Sequence, residues 1–231
     1  MGDPGPRVVS FAPRQAARGP GGGAAGAEDR VLAFTNSPTG RMARVLIREW
    51  GLPVAEELVP FAEPDAVQRL NPLGQVPVLV LGGEAVFPTL MVLERLWALA
   101  GEPAAAYAPA RERAVLATVL GAVEALVGAL YQRWAGLEPT GRNNIGFDPG
   151  RRNLERVLLT LDWLEEEGRL RDGLTLPGVA VACCMLWSDA RGGPAWWGRP
   201  RLETLVAGLG ERESFRRTQP KLWRPGEEEK R

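Results

Sequence analysis

The sequence predicts a mixed α/β domain at residues 30–100, followed by an all-helical domain at residues 111–224. Three observations support this prediction. Short apolar runs of strand type alternate with helical patterns in the first region. The stretch 101–110 has the composition of a linker, and beyond it the apolar spacing is wholly helical. The apolar run 76–81 indicates a buried strand although it contains Pro77, and proline cannot donate a hydrogen bond to a sheet.

The elements of the first region follow one another at short intervals. Ser37 and Pro38 supply start signals for the first helix, and Gly51 with Pro53 marks its end. The pair Gly82-Gly83 predicts a hairpin turn. Strands are predicted at 31–34, 54–59, 76–81 and 85–87, and helices at 39–50, 65–70 and 89–100. This β-α-β-α-β-β-α order is that of a thioredoxin-like domain.

The predicted first helix has an apolar face and an opposite basic face. These faces comprise Met42, Val45, Leu46 and Trp50 on one side, and Arg41, Arg44 and Arg48 on the other. Arg41 lies one helical turn after Ser37, where it either supports an anionic ligand or faces solvent. The pattern favours solvent.

A particular backbone conformation reconciles Pro77 with a buried strand. A cis peptide bond between Val76 and Pro77 places the proline in a tight bend at the mouth of the strand. Such a bend leaves the N–H and C=O groups of Val76 outside the sheet, where an extended peptide can pair with them as an additional strand. We therefore predict a cis Val76–Pro77 bond beside a peptide-binding edge.

The second region is predicted to consist of helices around one fully apolar helix. The stretch from Thr175 to Trp187 is nearly uniform in apolarity and is expected to lie at the centre. Thr175 supplies a cap for this helix, whereas Gly178 cannot return the second bond of a capping box. The stretch from Pro139 to Gly150 indicates a polar loop. The remaining helices are predicted from apolar spacing at 116–134, 154–164 and 201–209.

The two ends of the chain differ from the folded regions. Residues 1–29 are rich in Gly, Pro, Ala and Arg and lack spaced apolar groups, so we expect a disordered extension. Residues 225–231 form a charged tail. No uninterrupted apolar run approaches the ~18 residues that span a bilayer.

Composition excludes several classes of function. The chain has 231 residues, 28 of them basic and 28 acidic, so nothing global favours nucleic acid or an anionic membrane. It has no histidine, which excludes histidine bases, Ser-His-Asp triads and histidine metal ligands. The two cysteines, Cys183 and Cys184, are adjacent in an apolar run, so we expect buried thiols without a disulfide. The low cysteine content fits a cytoplasmic protein.

Two motifs carry a resemblance to a known family. The segment Asn-Pro-Leu-Gly-Gln-Val-Pro-Val-Leu at 71–79 closely resembles the cis-proline segment of the glutathione S-transferase superfamily. The segment 212–220 resembles the terminal Arg-Pro-Ser-Phe-x-x-Thr-x-Pro signature of that family, with Glu213 at the first proline position. The resemblance covers about residues 30–220. It implies a thioredoxin-like domain followed by an all-helical bundle, glutathione as co-substrate without a metal, and a cytoplasmic homodimer.

The resemblance implies a catalytic role for Ser37, at the start of the first helix. Glutathione attacks as a thiolate, and donors at a helix N-terminus lower the pKa of a thiol from about 8.5. A serine hydroxyl aimed at the sulfur would stabilise this anion. The alternative is that Ser37 only caps the helix. Thr35 and Asn36 are the fallback donors, because a shift of the loop by one residue would exchange them.

The resemblance also implies the glutathione-binding residues. Val76, which precedes Pro77, would pair through its backbone with the cysteinyl unit, and Gln75 would contact the glycyl end. Thr89 would hold the γ-glutamyl carboxylate at a helix N-terminus. Pro88 departs from the family, which usually has an acidic residue there; losing that contact costs about 1.5–3 kcal/mol, or roughly 10–150-fold in affinity.

Aromatic residues supply candidates for the electrophile pocket. Tyr107, Tyr131, Trp134, Trp187, Trp196 and Trp197 are expected to be core residues by default, with Trp134 as the exception that lines a pocket between the domains. Three functions are compatible with this sequence. They are conjugation of a small electrophile, non-catalytic binding on the same fold, and glutathione-dependent isomerisation, dehalogenation or peroxide reduction. Absence of cysteine at 35–37 argues against chemistry through a protein thiol.

Overall fold

The computed structural model describes residues 29–61, 63, 65–136 and 149–220. Four strands and eight helices lie in this part of the chain: β1 (Arg30–Phe34), α1 (Pro38–Trp50), β2 (Ala55–Val59), α2 (Asp65–Gln68), β3 (Val78–Leu81), β4 (Glu84–Val86), α3 (Thr89–Leu99), α4 (Pro109–Trp134), α5 (Pro149–Glu166), α6 (Leu176–Asp189), α7 (Pro200–Gly210) and α8 (Glu213–Arg217). The predicted extension at 1–29, except for its last residue Asp29, and the predicted tail at 225–231 lie outside the described residues. So does the predicted polar loop, except for Pro149 and Gly150, which begin α5.

The four strands form one sheet in the order β2-β1-β3-β4. β1 pairs with β2 in parallel and with β3 antiparallel, and β3 pairs antiparallel with β4. One apolar cluster lies between this sheet and α2, whereas a larger cluster continues from the other face of the sheet into the helical region. The predicted thioredoxin-like domain followed by a helical region is confirmed.

Local signals set the ends of the elements. Ser37 accepts a hydrogen bond from the Gly40 N–H and begins α1, and Gly51 ends it in the left-handed conformation (φ +58°). The predicted cis Val76–Pro77 bond is confirmed, and β3 begins directly after it at Val78. A second cis bond, Phe87–Pro88, was not predicted.

The central helix of the second region is α6, as predicted. Twelve of its residues are buried, and the Thr175 hydroxyl accepts from the Gly178 N–H at 3.1 Å. The longest helix, α4, packs against α5 and α6. Among the described helices, α4 alone is long and apolar enough to cross a bilayer. The search for uninterrupted apolar runs in the sequence did not identify it. In this fold, however, its buried side chains belong to the core.

The prediction that Arg41 faces solvent is wrong. α1 lies between the sheet domain and the helices α6 and α8, so most of its circumference is covered. Arg41 is 3% exposed, and its guanidinium reaches α8, where it donates to the Phe215 carbonyl at 3.1 Å. Arg44 is also buried and pairs with Glu56 at 2.7 Å. Only Arg48 of the predicted basic face is exposed.

The terminal signature segment, residues 212–220, is joined to α1 by hydrogen bonds. Arg212 and Ser214 both donate to the carboxylate of Glu49, near the end of α1. The Arg212 hydrogen bond is the main cause that lowers the pKa of Glu49, although burial opposes it. Thr218 receives a 3.3 Å hydrogen bond from Arg41 Nε. Glu213, at the proline position of the signature, is exposed and pairs with Arg217.

Candidate functional site

A buried asparagine shapes the loop before the cis-proline. Asn71 is 2% exposed; its Nδ2 donates to the Gln75 carbonyl at 2.8 Å, and its Oδ1 accepts from the Leu73 N–H at 3.1 Å. Gly74 has φ +64°, a left-handed conformation that favours glycine. This internal bonding fixes the loop and leaves the Gln75 side chain exposed, whereas Val76 and Pro77 are buried.

Three oxygen atoms connect the first helix to the cis-proline loop. Ser37 Oγ lies 2.9 Å from Thr39 Oγ1, and Thr39 Oγ1 donates to the Val76 carbonyl at 2.7 Å. Ser37 Oγ also accepts from the Gly40 N–H at 3.0 Å. The structure thus joins two of the predicted site residues, Ser37 and Val76, through one that sequence reasoning missed. Val76 lies outside the sheet, as predicted, and its carbonyl accepts the hydrogen bond from Thr39.

The helix cap on Ser37 is observed, while its catalytic role stays a prediction. The fallback donors Thr35 and Asn36 lie in the turn just before it. Trp187 Nε1 donates to the Asn36 carbonyl at 2.7 Å, so the helical region holds this turn in place. All three candidate side chains are half-buried.

The start of α3 is the predicted position for the γ-glutamyl carboxylate. Pro88 is the N-cap residue, is exposed and provides no side-chain cap, and Thr89 is the first helical residue. Glu94 does not replace the missing acid, since it accepts from the Tyr107 hydroxyl at 2.9 Å and from Arg113 at 3.0 Å. The contacts of Gln75 and Thr89 with a ligand stay predictions.

A row of aromatic rings runs beside the turn that precedes α1. The centroid distances are 5.4 Å for Phe34–Phe61, 6.1 Å for Phe61–Tyr131, 5.5 Å for Tyr131–Trp134 and 6.3 Å for Trp134–Trp187. Partial burial raises the pKa of Tyr131 above its ordinary value. We call these five residues the aromatic row.

The aromatic row includes Trp134, whose role in an electrophile pocket stays a prediction. Phe61 and Tyr131 are 53% and 45% exposed, so parts of the row face outward. The expectation that Tyr131 is a core residue is therefore wrong, as it is for Trp197, which is 61% exposed. Tyr107, Trp187 and Trp196 are buried, as expected. Phe34 and Phe61 were missed because they come from a strand end and a loop, where no periodicity marks them.

The two cysteines lie in the core, as predicted. Cys183 and Cys184 are both buried free thiols of α6. Burial raises the pKa of Cys183 to about 12, although the nearby Arg41 opposes the effect, and burial also raises the pKa of Cys184. Neither thiol supplies a thiolate at neutral pH.

Comparison with known proteins identifies the family of this chain. Residues 36–96 match the family model for the N-terminal domain of glutathione S-transferase. An Escherichia coli K12 protein, "Uncharacterized GST-like protein YibF", is 31% identical over 204 residues, which are 83% of this chain and 98% of that protein. The chain belongs to the glutathione S-transferase superfamily.

Solved structures of other superfamily members share the fold. A glutathione S-transferase from Methylobacillus flagellatus, with glutathione bound, superposes with a TM-score of 0.70 and 25% identity, covering 84% of this chain and 100% of that one. A Methylobacterium radiotolerans enzyme in complex with glutathione sulfonate gives a TM-score of 0.72 at 23% identity, covering 87% and 98%. The second likeness is one of fold alone.

Proposed function

We propose that this protein is a glutathione transferase, which joins the sulfur of glutathione to a small electrophile. The observation that carries the proposal is the position of the Ser37 hydroxyl at the N-terminus of α1, linked by Thr39 to the carbonyl that precedes the cis-proline. The Ser37 hydroxyl suits a thiolate, and the Val76 carbonyl suits a peptide backbone. Members of the superfamily with bound glutathione support the choice of ligand.

Each part of glutathione has a proposed partner. The backbone of Val76 aligns the cysteinyl unit, and its sulfur faces Ser37. The exposed side chain of Gln75 contacts the glycyl end. Thr89 and the first amides of α3 hold the γ-glutamyl carboxylate, because Pro88 leaves those amides without a side-chain cap. The missing acid at Pro88 makes the amino group of glutathione the weakest point of this binding mode.

The proposed reaction is nucleophilic substitution or addition. The thiol of glutathione releases its proton to solvent, and the thiolate accepts a hydrogen bond from Ser37. The sulfur then donates an electron pair to an electrophilic carbon. In substitution, a leaving group such as chloride departs with its bonding pair; in addition to an activated alkene, the resulting carbanion takes a proton from water. The aromatic row would bind the electrophile beside the sulfur.

The homodimer and the cytoplasmic location are parts of the same proposal and rest on family membership. Pro88 favours a second candidate, a glutathione transferase fold that binds a ligand without catalysis. Glutathione-dependent isomerisation, dehalogenation or peroxide reduction is distinguished from conjugation by the product that mass spectrometry detects.

Steady-state kinetics with glutathione and chlorodinitrobenzene test the proposal. We expect Ser37→Ala to raise the apparent pKa in the pH profile of kcat/KM by about 1–2 units, because a hydrogen bond to a charged acceptor contributes about 1.5–3 kcal/mol. Thr175→Ala is the matched control, since it removes a helix-capping hydroxyl from α6 without touching the site. Absence of any glutathione conjugate across chloronitroarenes, epoxides and enals would contradict the transferase assignment.

A further inference from the structure

The hydroxyl of Thr39 lies between two groups that would contact the cysteinyl unit of glutathione. It is 2.9 Å from Ser37 Oγ and donates to the Val76 carbonyl at 2.7 Å. A hydroxyl has one proton to donate. Because the Thr39 proton is used on Val76, the bond between the two hydroxyls has Ser37 as its donor. Without a ligand, the protons therefore point from Ser37 to Thr39 to Val76.

This direction is the wrong one for binding glutathione. A thiolate next to Ser37 requires the Ser37 proton, which in the free protein is directed at Thr39. The cysteinyl N–H would pair with the Val76 carbonyl, where in the free protein Thr39 already occupies one of the two lone pairs. Both demands are met without moving a heavy atom if the Thr39 hydroxyl rotates and donates to Ser37 Oγ.

We propose that Thr39 is a positioning residue that reverses this hydrogen-bond chain when glutathione binds, a proposal that rests on the function given above. In the bound state, Thr39 donates to Ser37, Ser37 donates to the thiolate, and the Val76 carbonyl accepts from the ligand. Each proton stays on its own oxygen, so no covalent bond changes. Ser37 then accepts two hydrogen bonds, from Thr39 and from the Gly40 N–H, which polarise its hydroxyl toward the sulfur.

Thr39→Val removes the hydroxyl proton while keeping the shape of threonine. It therefore tests two consequences of that proton: the affinity of the ligand for the Val76 carbonyl and the pKa of the thiol beside Ser37. In Thr39→Val the Val76 carbonyl loses the Thr39 donor, so both of its lone pairs are available to the ligand amide. We expect S-methylglutathione, which has no ionisable thiol, to bind roughly 2–10-fold more tightly. Ser37 loses one polarising donor, so we expect the thiol pKa of bound glutathione to rise by roughly 0.5–1 unit.

The experiment measures S-methylglutathione affinity by calorimetry and the bound thiol pKa by the ultraviolet absorbance of the thiolate. Thr39→Ser keeps a hydroxyl and should restore both wild-type values. Thr39→Ala is a second variant without a hydroxyl, and should shift both quantities in the same directions as Thr39→Val. A residue that only supports the helix would leave the bound thiol pKa unchanged.

The reversal is supported if Thr39→Val and Thr39→Ala both bind S-methylglutathione more tightly and both raise the pKa of the bound thiol. Unchanged values, or weaker S-methylglutathione binding with an unchanged thiol pKa, overturn it while leaving the transferase proposal intact. Failure of the wild-type protein to bind either ligand overturns both, so the wild-type control separates the two failures.

Discussion

Arg41 offers a quantitative test of how the two regions are joined. Its guanidinium donates to the Phe215 carbonyl and the Thr218 hydroxyl, and it lies 5.2 Å from the centre of the Phe215 ring. Two hydrogen bonds from a charged donor contribute about 1.5–3 kcal/mol each. Against this, burial of a guanidinium costs several kcal/mol and lowers the pKa of Arg41. Its Nη1 is buried without a hydrogen-bond partner within the described ranges, at a further cost of about 1–3 kcal/mol.

These opposing contributions nearly cancel, so packing should dominate the effect of substitution. Both acceptors keep other partners, since Phe215 O also accepts from the Thr218 N–H and the Thr218 hydroxyl donates to the Ser214 carbonyl. We expect Arg41→Met, which retains most of the side-chain volume, to change the free energy of unfolding by less than about 1.5 kcal/mol. Arg41→Ala leaves a cavity and should cost about 2–4 kcal/mol.

Urea unfolding followed by circular dichroism measures both variants. Arg48→Met is the matched control, because Arg48 is an exposed arginine of the same helix with an ion pair to Glu56. We expect that control to change the free energy of unfolding by less than about 1 kcal/mol. A loss above about 3 kcal/mol in Arg41→Met, equal to that in Arg41→Ala, would refute the reasoning, since the charge rather than the packing would then stabilise the contact.

Two further predictions concern the hydrogen bond between Arg212 and Glu49 and the predicted electrophile pocket at Trp134. The hydrogen bond from Arg212 holds the pKa of Glu49 below its ordinary value, so its stabilising effect is present above pH ~4.5 and is lost as the pH falls through the folded-state pKa. The difference in unfolding free energy between wild type and Glu49→Gln should therefore be largest near neutral pH and shrink in acid; a difference independent of pH would contradict this assignment. Trp134→Ala should lower kcat/KM for chlorodinitrobenzene roughly 3–10-fold with little change in the KM for glutathione. The exposed Trp197→Ala should leave both unchanged, and equal effects of the two variants would exclude Trp134 from the pocket.

Features with a local cause could be predicted from the sequence. Pro77 inside an apolar run is compatible with few backbone conformations, and the structure has the expected cis bond followed directly by β3. The cap at Ser37 and the stop at Gly51 depend on neighbouring residues only, and both were located correctly. The uniform apolarity of α6 similarly has one explanation, burial on all sides.

Features that depend on contacts between distant segments could not be predicted. Arg41 lies on the less apolar face of α1, and nothing nearby in the sequence shows that α8 covers it. Thr39 looks like an ordinary first-turn helix residue until the cis-proline loop is brought to within 2.7 Å of its hydroxyl. The aromatic row likewise combines a strand end, a loop and two helix ends, so Phe61 has no periodic signal.

Calorimetric titration with reduced glutathione is the most direct test of the central claim, that this fold binds glutathione at the Ser37 and Val76 site. The account predicts a dissociation constant between micromolar and low millimolar for the wild-type protein. Binding should tighten roughly 10-fold or more in Pro88→Glu, because the carboxylate restores a charge-assisted contact with the amino group of the ligand. Absence of heat and of any shift in Tm with glutathione, in both proteins, would contradict the account.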